Sequence, residues 1–194
     1  MFKEVVSGCL RDLQLNDKLM ARGHQGASLE NNTEETKMSE ETTKIAIIAS
    51  KGTLDMAYPP LILATAAAAL DMEAQIFYTF YGLNIVHKER MDNLMVFPHG
   101  NPGMPGPFQG FLGTLPGMPT MATMMMKGMM AKHNVLSIRK LVDLCMMSEV
   151  EMIACQMTVD LFGMKQSDFI DGIKFGGAAM YLEYAAGAQI PLFV

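Results

Sequence analysis

One cysteine of this chain stands where a thiol could act as a nucleophile. Cys155 follows the apolar run VEMIA at 150–154, which predicts a buried strand, and the chain then turns toward a helical segment predicted to begin near Thr158. Amide groups at a helix N-terminus stabilise anions, so a thiol there loses its proton more readily. The sequence therefore predicts that Cys155 is a nucleophile or a persulfide carrier.

Three further residues are candidates for binding the substrate of such a thiol. Lys51 and Gly52 lie in the loop after the first predicted strand, and Gln156 follows the cysteine directly. If the strands are parallel, both loops lie at the same edge of the sheet, where an ammonium group would favour the thiolate. The alternative is that SKGTLD simply makes a turn, with Lys51 in solvent.

The other cysteines do not suggest a disulfide or a metal site. Cys145 lies on the apolar face of a predicted helix, which favours a core residue, and Cys9 lies near the N-terminus. An odd number of cysteines without regular spacing, and no N-terminal signal peptide, predict a protein of the reducing cytoplasm. We expect no metal, because the chain has no CxxC motif and its histidines are scattered.

Composition and missing motifs exclude several functional classes. Half of the residues are apolar and 18% are charged, as in globular proteins. From Lys44 onward there are twelve acidic and ten basic residues, without a basic stripe, which argues against nucleic acid as a partner. The chain has no carboxylate pair, Ser/His/Asp order, Walker motif or GxGxxG, so hydrolases, NTPases and dinucleotide enzymes are disfavoured and no cofactor is expected.

The elements that would position Cys155 follow a strand–helix–strand pattern. KIAIIAS at 44–50 predicts a strand buried on both faces, Pro59 and Pro60 predict the start of an Ala-rich helix, and EAQIFYTF at 73–80 predicts a second strand. Two strands joined in this way are parallel and connected by a right-handed crossover.

Later segments extend the same plan to five strands. SIRKLVDLCMMS at 137–148 predicts a helix leading into the strand of Cys155, and IKFGG and IPLFV predict two more strands around a final helix. The sequence predicts an α/β, flavodoxin-like three-layer sandwich with a mainly parallel sheet. In a doubly wound order, the first strand and the strand of Cys155 would be neighbours, and Cys155 would open into the crevice between them.

Two segments depart from this plan. Residues 1–43 predict a disordered leader, and residues 91–132 predict an insertion that is rich first in Gly and Pro and then in Met. Seven methionines fall between Met118 and Met130. They predict a helix that covers its own core or, alternatively, a flap over the crevice, a protein-docking surface or a membrane-touching segment.

The segments SKGTLDMAYPPLILATAAAALDMEAQIFYTFYGLNIVHK and VEMIACQMTVDLFGMKQSDFIDGIKFGGAAMYLEYA resemble the DsrE/DsrF-like sulfur-relay family, in particular the DsrE-related branch that is also called peroxiredoxin-like. The likeness covers nearly all of residues 44–194. It implies an oligomer that accepts sulfane sulfur, as persulfide or thiosulfonate, on a cysteine after a central strand. That cysteine corresponds to Cys155, and the second cysteine that helps in some relatives corresponds to Cys145.

The resemblance also implies partners. These are a small TusA-like sulfur carrier and a rhodanese or heterodisulfide-reductase-like complex, and the branch with the insertion implies peripheral membrane contact. The competing hypothesis is a non-enzymatic scaffold or membrane-peripheral adaptor that acts through the Met-rich insertion. A peroxide-reducing enzyme is disfavoured, because the chain lacks the Thr and Arg that such sites use around their cysteine. Stoichiometric carriage and catalytic turnover both remain open.

Overall fold

The structure is a computed structural model, and it describes residues 42–96 and 117–194. Within these ranges helices and strands alternate along most of the chain. They are β1 (Lys44–Ala49), α1 (Leu54–Ala68), β2 (Glu73–Tyr78), α2 (Met118–Lys132), α3 (Ile138–Met147), β3 (Glu151–Cys155), α4 (Gln156–Leu161), β4 (Lys174–Gly176), α5 (Ala178–Ala185) and β5 (Ile190–Phe193), with 3-10 helices at Phe80–Ile85, Met91–Asn93 and Gln166–Asp168.

The strands form one parallel sheet in the order β4-β3-β2-β1-β5. Ile47 of β1 pairs with Ile76 of β2 on one side and with Leu192 of β5 on the other. Every connection between neighbouring parallel strands needs a crossover, and helices supply several of them. The predicted α/β sandwich with a five-stranded parallel sheet is confirmed.

Both faces of the three inner strands, β1, β2 and β3, are buried, which explains why their sequences are almost continuously apolar. Alternate residues of β1 point to opposite faces. Ile45, Ile47 and Ala49 belong to a large core shared with α1 and α3, whereas Ala46 belongs to a small core beneath α5. The buried members of this small core are Ala46, Phe77, Ile153, Cys155 and Tyr181.

Helix α1 begins earlier than the two prolines predicted. Its first residue is Leu54, whose N–H donates to the carbonyl of Met95 at 3.0 Å, and Pro59 and Pro60 lie inside the helix. The first turn is already closed before them, because the N–H of Ala57 donates to the carbonyl of Thr53 at 3.0 Å. The two prolines lie beyond this turn, and each of them removes one internal hydrogen bond of the helix, because proline has no N–H to donate.

The predicted neighbourhood of β1 and β3 is wrong, because β2 lies between them. The strand order reverses between β1 and β5 instead: β1 to β4 follow one another toward one edge of the sheet, and β5 lies on the other side of β1. There the N–H and hydroxyl of Ser50 both donate to the carbonyl of Val194, at 2.9 and 3.0 Å. Cys155 is therefore not at the switch point of the sheet.

Most of the predicted leader (1–43) and the Gly/Pro-rich part of the insertion (97–116) lie outside the described residues. The Met-rich part is helix α2, which buries Ala122 and Thr123. Met125, Met126 and Met130 pack partly buried against the large core, while Met121, Met124 and Met129 are exposed. Within residues 42–96 and 117–194, no helix combines the length and apolarity that crossing a membrane requires.

Candidate functional site

The thiol of Cys155 lies at the carboxyl end of β3, next to the short edge strand β4. Cys155 is the last residue of β3 and pairs with Gly176, the last residue of β4. Its side chain is on the same face as that of Ile153, two residues earlier, and both belong to the small core.

Cys155 is 4% exposed, which corrects the expectation that it opens into a crevice. Tyr181 of α5 is buried in the same small core, and its ring lies 5.4 Å from that of Phe77. Met180, the preceding residue of α5, is partly buried and packs against the same cluster. A reagent can reach the thiol only if part of this apolar cover moves.

The amides of helix α4 do not bind the thiol. Cys155 caps α4, which begins at Gln156 and not near Thr158, but its side chain makes no capping hydrogen bond. The six residues of α4 form fewer than two turns, so the helix dipole is small. The electrostatic activation predicted for Cys155 is therefore not visible in its contacts.

Gln156, Lys51 and Gly52 are placed at the same sheet edge but are not grouped around the thiol. The side-chain amide of Gln156 donates to Asp160 at 2.7 Å and accepts from Gln166 at 3.0 Å. Lys51 is exposed after β1. Because β2 separates β1 from β3, the ends of these two strands are two strand spacings, or about 10 Å, apart.

Gly52 has a structural reason to be glycine. A side chain at this position would approach the backbone carbonyl of Tyr81 closer than 3.0 Å. The loop after β1 therefore packs directly on the turn after β2, and substrate binding by Lys51, Gly52 and Gln156 stays a prediction.

Cys145 lies in the large core, on the opposite face of the sheet from Cys155. It is fully buried on α3, and its thiol donates a weak hydrogen bond to the carbonyl of Leu61 at 3.8 Å. Burial raises the pKa of Cys145 to about 12. These are the surroundings of a core cysteine.

We expect Cys145 to resist alkylation in the folded protein. At pH 8, a thiol with a pKa near 12 is ionised in only about one molecule in ten thousand, compared with roughly a quarter for an ordinary thiol. Iodoacetamide at pH 8, followed by peptide mass spectrometry, measures this directly. Addition of urea should make Cys145 react at the rate of an unfolded peptide, and rapid reaction without urea would contradict the buried position.

Sequence reasoning missed the residues that fasten α4 to the end of β2. Thr158 is fully buried, its hydroxyl lies 3.3 Å from that of Thr79, and the N–H of Phe80 donates to it at 3.4 Å. Phe80 has a φ of +46°, which is uncommon for a bulky residue. Nearby, the exposed rings of Tyr81 and Phe162 stack at 5.5 Å. No sequence pattern marks these contacts, because they join segments that lie about 80 residues apart.

Comparisons with known proteins place this geometry in context. Residues 41–193 match the model of the DsrE/DsrF/DrsH-like family. The chain is 52% identical over 160 residues to a protein of Allochromatium vinosum named "Sulfur carrier protein DsrE2", covering 79% of this chain and 99% of that protein. It is also 32% identical over 167 residues to the uncharacterised protein YrkE of Bacillus subtilis, covering 81% and 100%.

Among solved structures, the chain is similar to the ychN protein of E. coli. The TM-score is 0.49 at 16% identity, and the match covers 79% of this chain and 100% of that one.

Proposed function

Because the chain belongs to the DsrE/DsrF/DrsH-like family, we propose that it is a sulfur carrier which holds sulfane sulfur as a persulfide on Cys155. The observation that carries this proposal is the 52% identity, over 99% of its length, to a relative named as a sulfur carrier. Cys155 ends an inner parallel strand, and the carboxyl ends of such strands form the edge of an α/β sheet at which ligands bind. This supports the role, although Cys155 lies away from the switch point.

Sulfur transfer to Cys155 needs no external oxidant. The thiolate of Cys155 attacks the outer sulfur of a persulfide or polysulfide donor, and the sulfur–sulfur bond of the donor breaks. A persulfide donor leaves as a thiolate, and a polysulfide leaves as an anion that is one sulfur atom shorter. Attack by a partner's thiolate on the outer sulfur of the new persulfide then regenerates Cys155. One sulfur atom moves in each step, and the number of thiolates is unchanged.

Other features expected from the resemblance remain predictions. They are the TusA-like carrier, the rhodanese or heterodisulfide-reductase-like complex, homo-oligomeric assembly and peripheral membrane contact. A second candidate function is an adaptor, favoured by the exposed methionines of α2: Met121, Met124 and Met129 are 52%, 71% and 48% exposed. Exposed apolar side chains of this kind suit an adaptable contact surface.

The test is to map where sulfur is added. The full-length protein is incubated with inorganic polysulfide, unfolded in urea, alkylated with iodoacetamide, digested and analysed by mass spectrometry. We expect the peptide with Cys155 to gain one sulfur atom beneath the alkyl group, and the peptide with Cys145 to gain none. An adduct confined to another cysteine would disprove the role of Cys155, and no adduct on any cysteine would favour the adaptor.

A further inference from the structure

The space beside the thiol of Cys155 is filled by a neighbouring methionine. Cys155 pairs with Gly176, and paired residues of parallel strands direct their side chains to the same face. Glycine leaves its place on that face empty. The side chain of Met180 occupies it: a Cβ built on Gly176 would lie closer than 3.0 Å to the Met180 sulfur, and 3.4 and 3.5 Å from its Cβ and Cγ.

Met180 is also the part of the cover that is best able to move. Tyr181, the next residue of α5, is 6% exposed and its ring packs against Phe77, so it is held in the small core. Met180 is only partly buried at the rim of the small core. A methionine side chain has three rotatable bonds and adapts to its surroundings, so it can swing out without displacing the helix.

The vacated space would adjoin the thiol on the face where the sulfur points. Neighbouring strands are about 4.8 Å apart, so the space over Gly176 is one strand spacing from Cys155. A persulfide extends a cysteine by one sulfur–sulfur bond of about 2 Å, and its outer sulfur needs room of this kind. The sulfur of Met180 now fills this space, and it has the size and polarizability of the outer sulfur of a persulfide.

We propose that Met180 is the gating and specificity-determining residue for Cys155, and that its thioether occupies the space which the outer sulfur of the persulfide takes. This inference rests on the proposed function and deepens it. The site would admit the narrow end of a sulfane donor, such as inorganic polysulfide or a persulfide, while bulky electrophiles stay outside.

The experiment compares Met180→Ala with the parent protein by alkylation of Cys155. Removal of the cover should accelerate reaction with iodoacetamide by about tenfold or more, and reaction with the bulkier N-ethylmaleimide by a larger factor. Met157→Ala is the matched control: it removes another methionine at this sheet edge, one that is already 65% exposed, and should change neither rate. Equal rates in Met180→Ala and the parent protein would overturn the gating role.

A second control separates gating from loosening of the helix. Glu183→Gly weakens the interior of the same helix at a side chain that is exposed and lies outside the small core. If Glu183→Gly accelerates both reagents as strongly as Met180→Ala, the effect is general opening of α5 and the inference is wrong. Cys145, in the other core, should stay unmodified in every variant, which reports that the fold is intact.

Loading with polysulfide distinguishes this inference from the function on which it rests. We expect Met180→Ala to gain sulfur faster than the parent protein and to lose it faster to dithiothreitol. If both proteins load Cys155 equally fast and alkylate equally fast, the gate is absent but the carrier function stands. If alkylation responds to Met180 but sulfur is never retained on Cys155, the gate is real and the carrier function fails.

Discussion

Replacement of Cys155 by serine is expected to abolish sulfur loading at this position, lowering it to background, at least about a hundredfold below the parent protein. A serine hydroxyl has nearly the same size but is not ionised at neutral pH and cannot form a persulfide. The measurement is the fraction of the peptide containing position 155 that carries an extra sulfur atom after the full chain has been exposed to polysulfide. Thermal unfolding of the variant shows whether the fold has survived.

Cys145→Ala is the matched control for this substitution. Cys145 lies in the large core, separated from Cys155 by the sheet, so its removal should leave loading of Cys155 within about twofold of the parent value. Full loading of the Cys155→Ser protein through Cys145 or Cys9 would show that another cysteine carries the sulfur. Loss of loading in Cys145→Ala, with the fold intact, would show that the two cysteines cooperate.

Gly82→Ala should strongly destabilise the fold, because Gly82, in the turn after β2, packs directly on the end of β1. A Cβ at Gly82 would lie closer than 3.0 Å to the carbonyl oxygen and carbon of Ala49 at the end of β1. The N–H of Gly82 also donates to the backbone carbonyls of Ser50, at 3.1 Å, and of Thr79, at 2.9 Å. These hydrogen bonds keep the turn from moving away from β1. We expect a loss of about 3 kcal/mol in the free energy of unfolding, measured by urea denaturation.

Gly128→Ala tests whether this loss is specific to the close contact. Gly128 lies in helix α2, and a Cβ there would meet no atom within 4 Å. Alanine should therefore raise the free energy of unfolding by about 0.5–1 kcal/mol, through its better helix propensity. A Gly82→Ala protein as stable as the parent would mean that the ends of β1 and β2 pack less closely than the structure describes.

Local patterns were sufficient to predict most of the fold. The apolar run of β1 required burial on both faces, and the spacing of Ile138, Leu141 and Val142 indicated the face of α3 that packs on the sheet. These features depend on neighbours in sequence, where periodicity is informative. The terminal strand, Ile190–Phe193, was also predicted from its own composition.

The surroundings of the candidate site could not be predicted in this way. The order of the strands decides whether Cys155 faces a crevice or a helix, and that order depends on pairings between distant segments. The sequence shows that Cys155 and Ile153 share a face, but not that α5 covers that face. The two prolines misplaced the start of α1 for a similar reason. The N–H of Leu54, which is free at the start of the helix, donates to the carbonyl of Met95, about forty positions away.

The location of Cys145 and Cys155 on opposite sides of the sheet has a consequence for how sulfur would be removed from Cys155. A disulfide requires Cα atoms within about 7 Å of each other, and a β-sheet with its packed helix keeps these two cysteines apart. Neither can attack a persulfide on the other. Sulfur held on Cys155 would therefore not be expelled by ring closure with Cys145, and its removal would need a thiol other than that of Cys145.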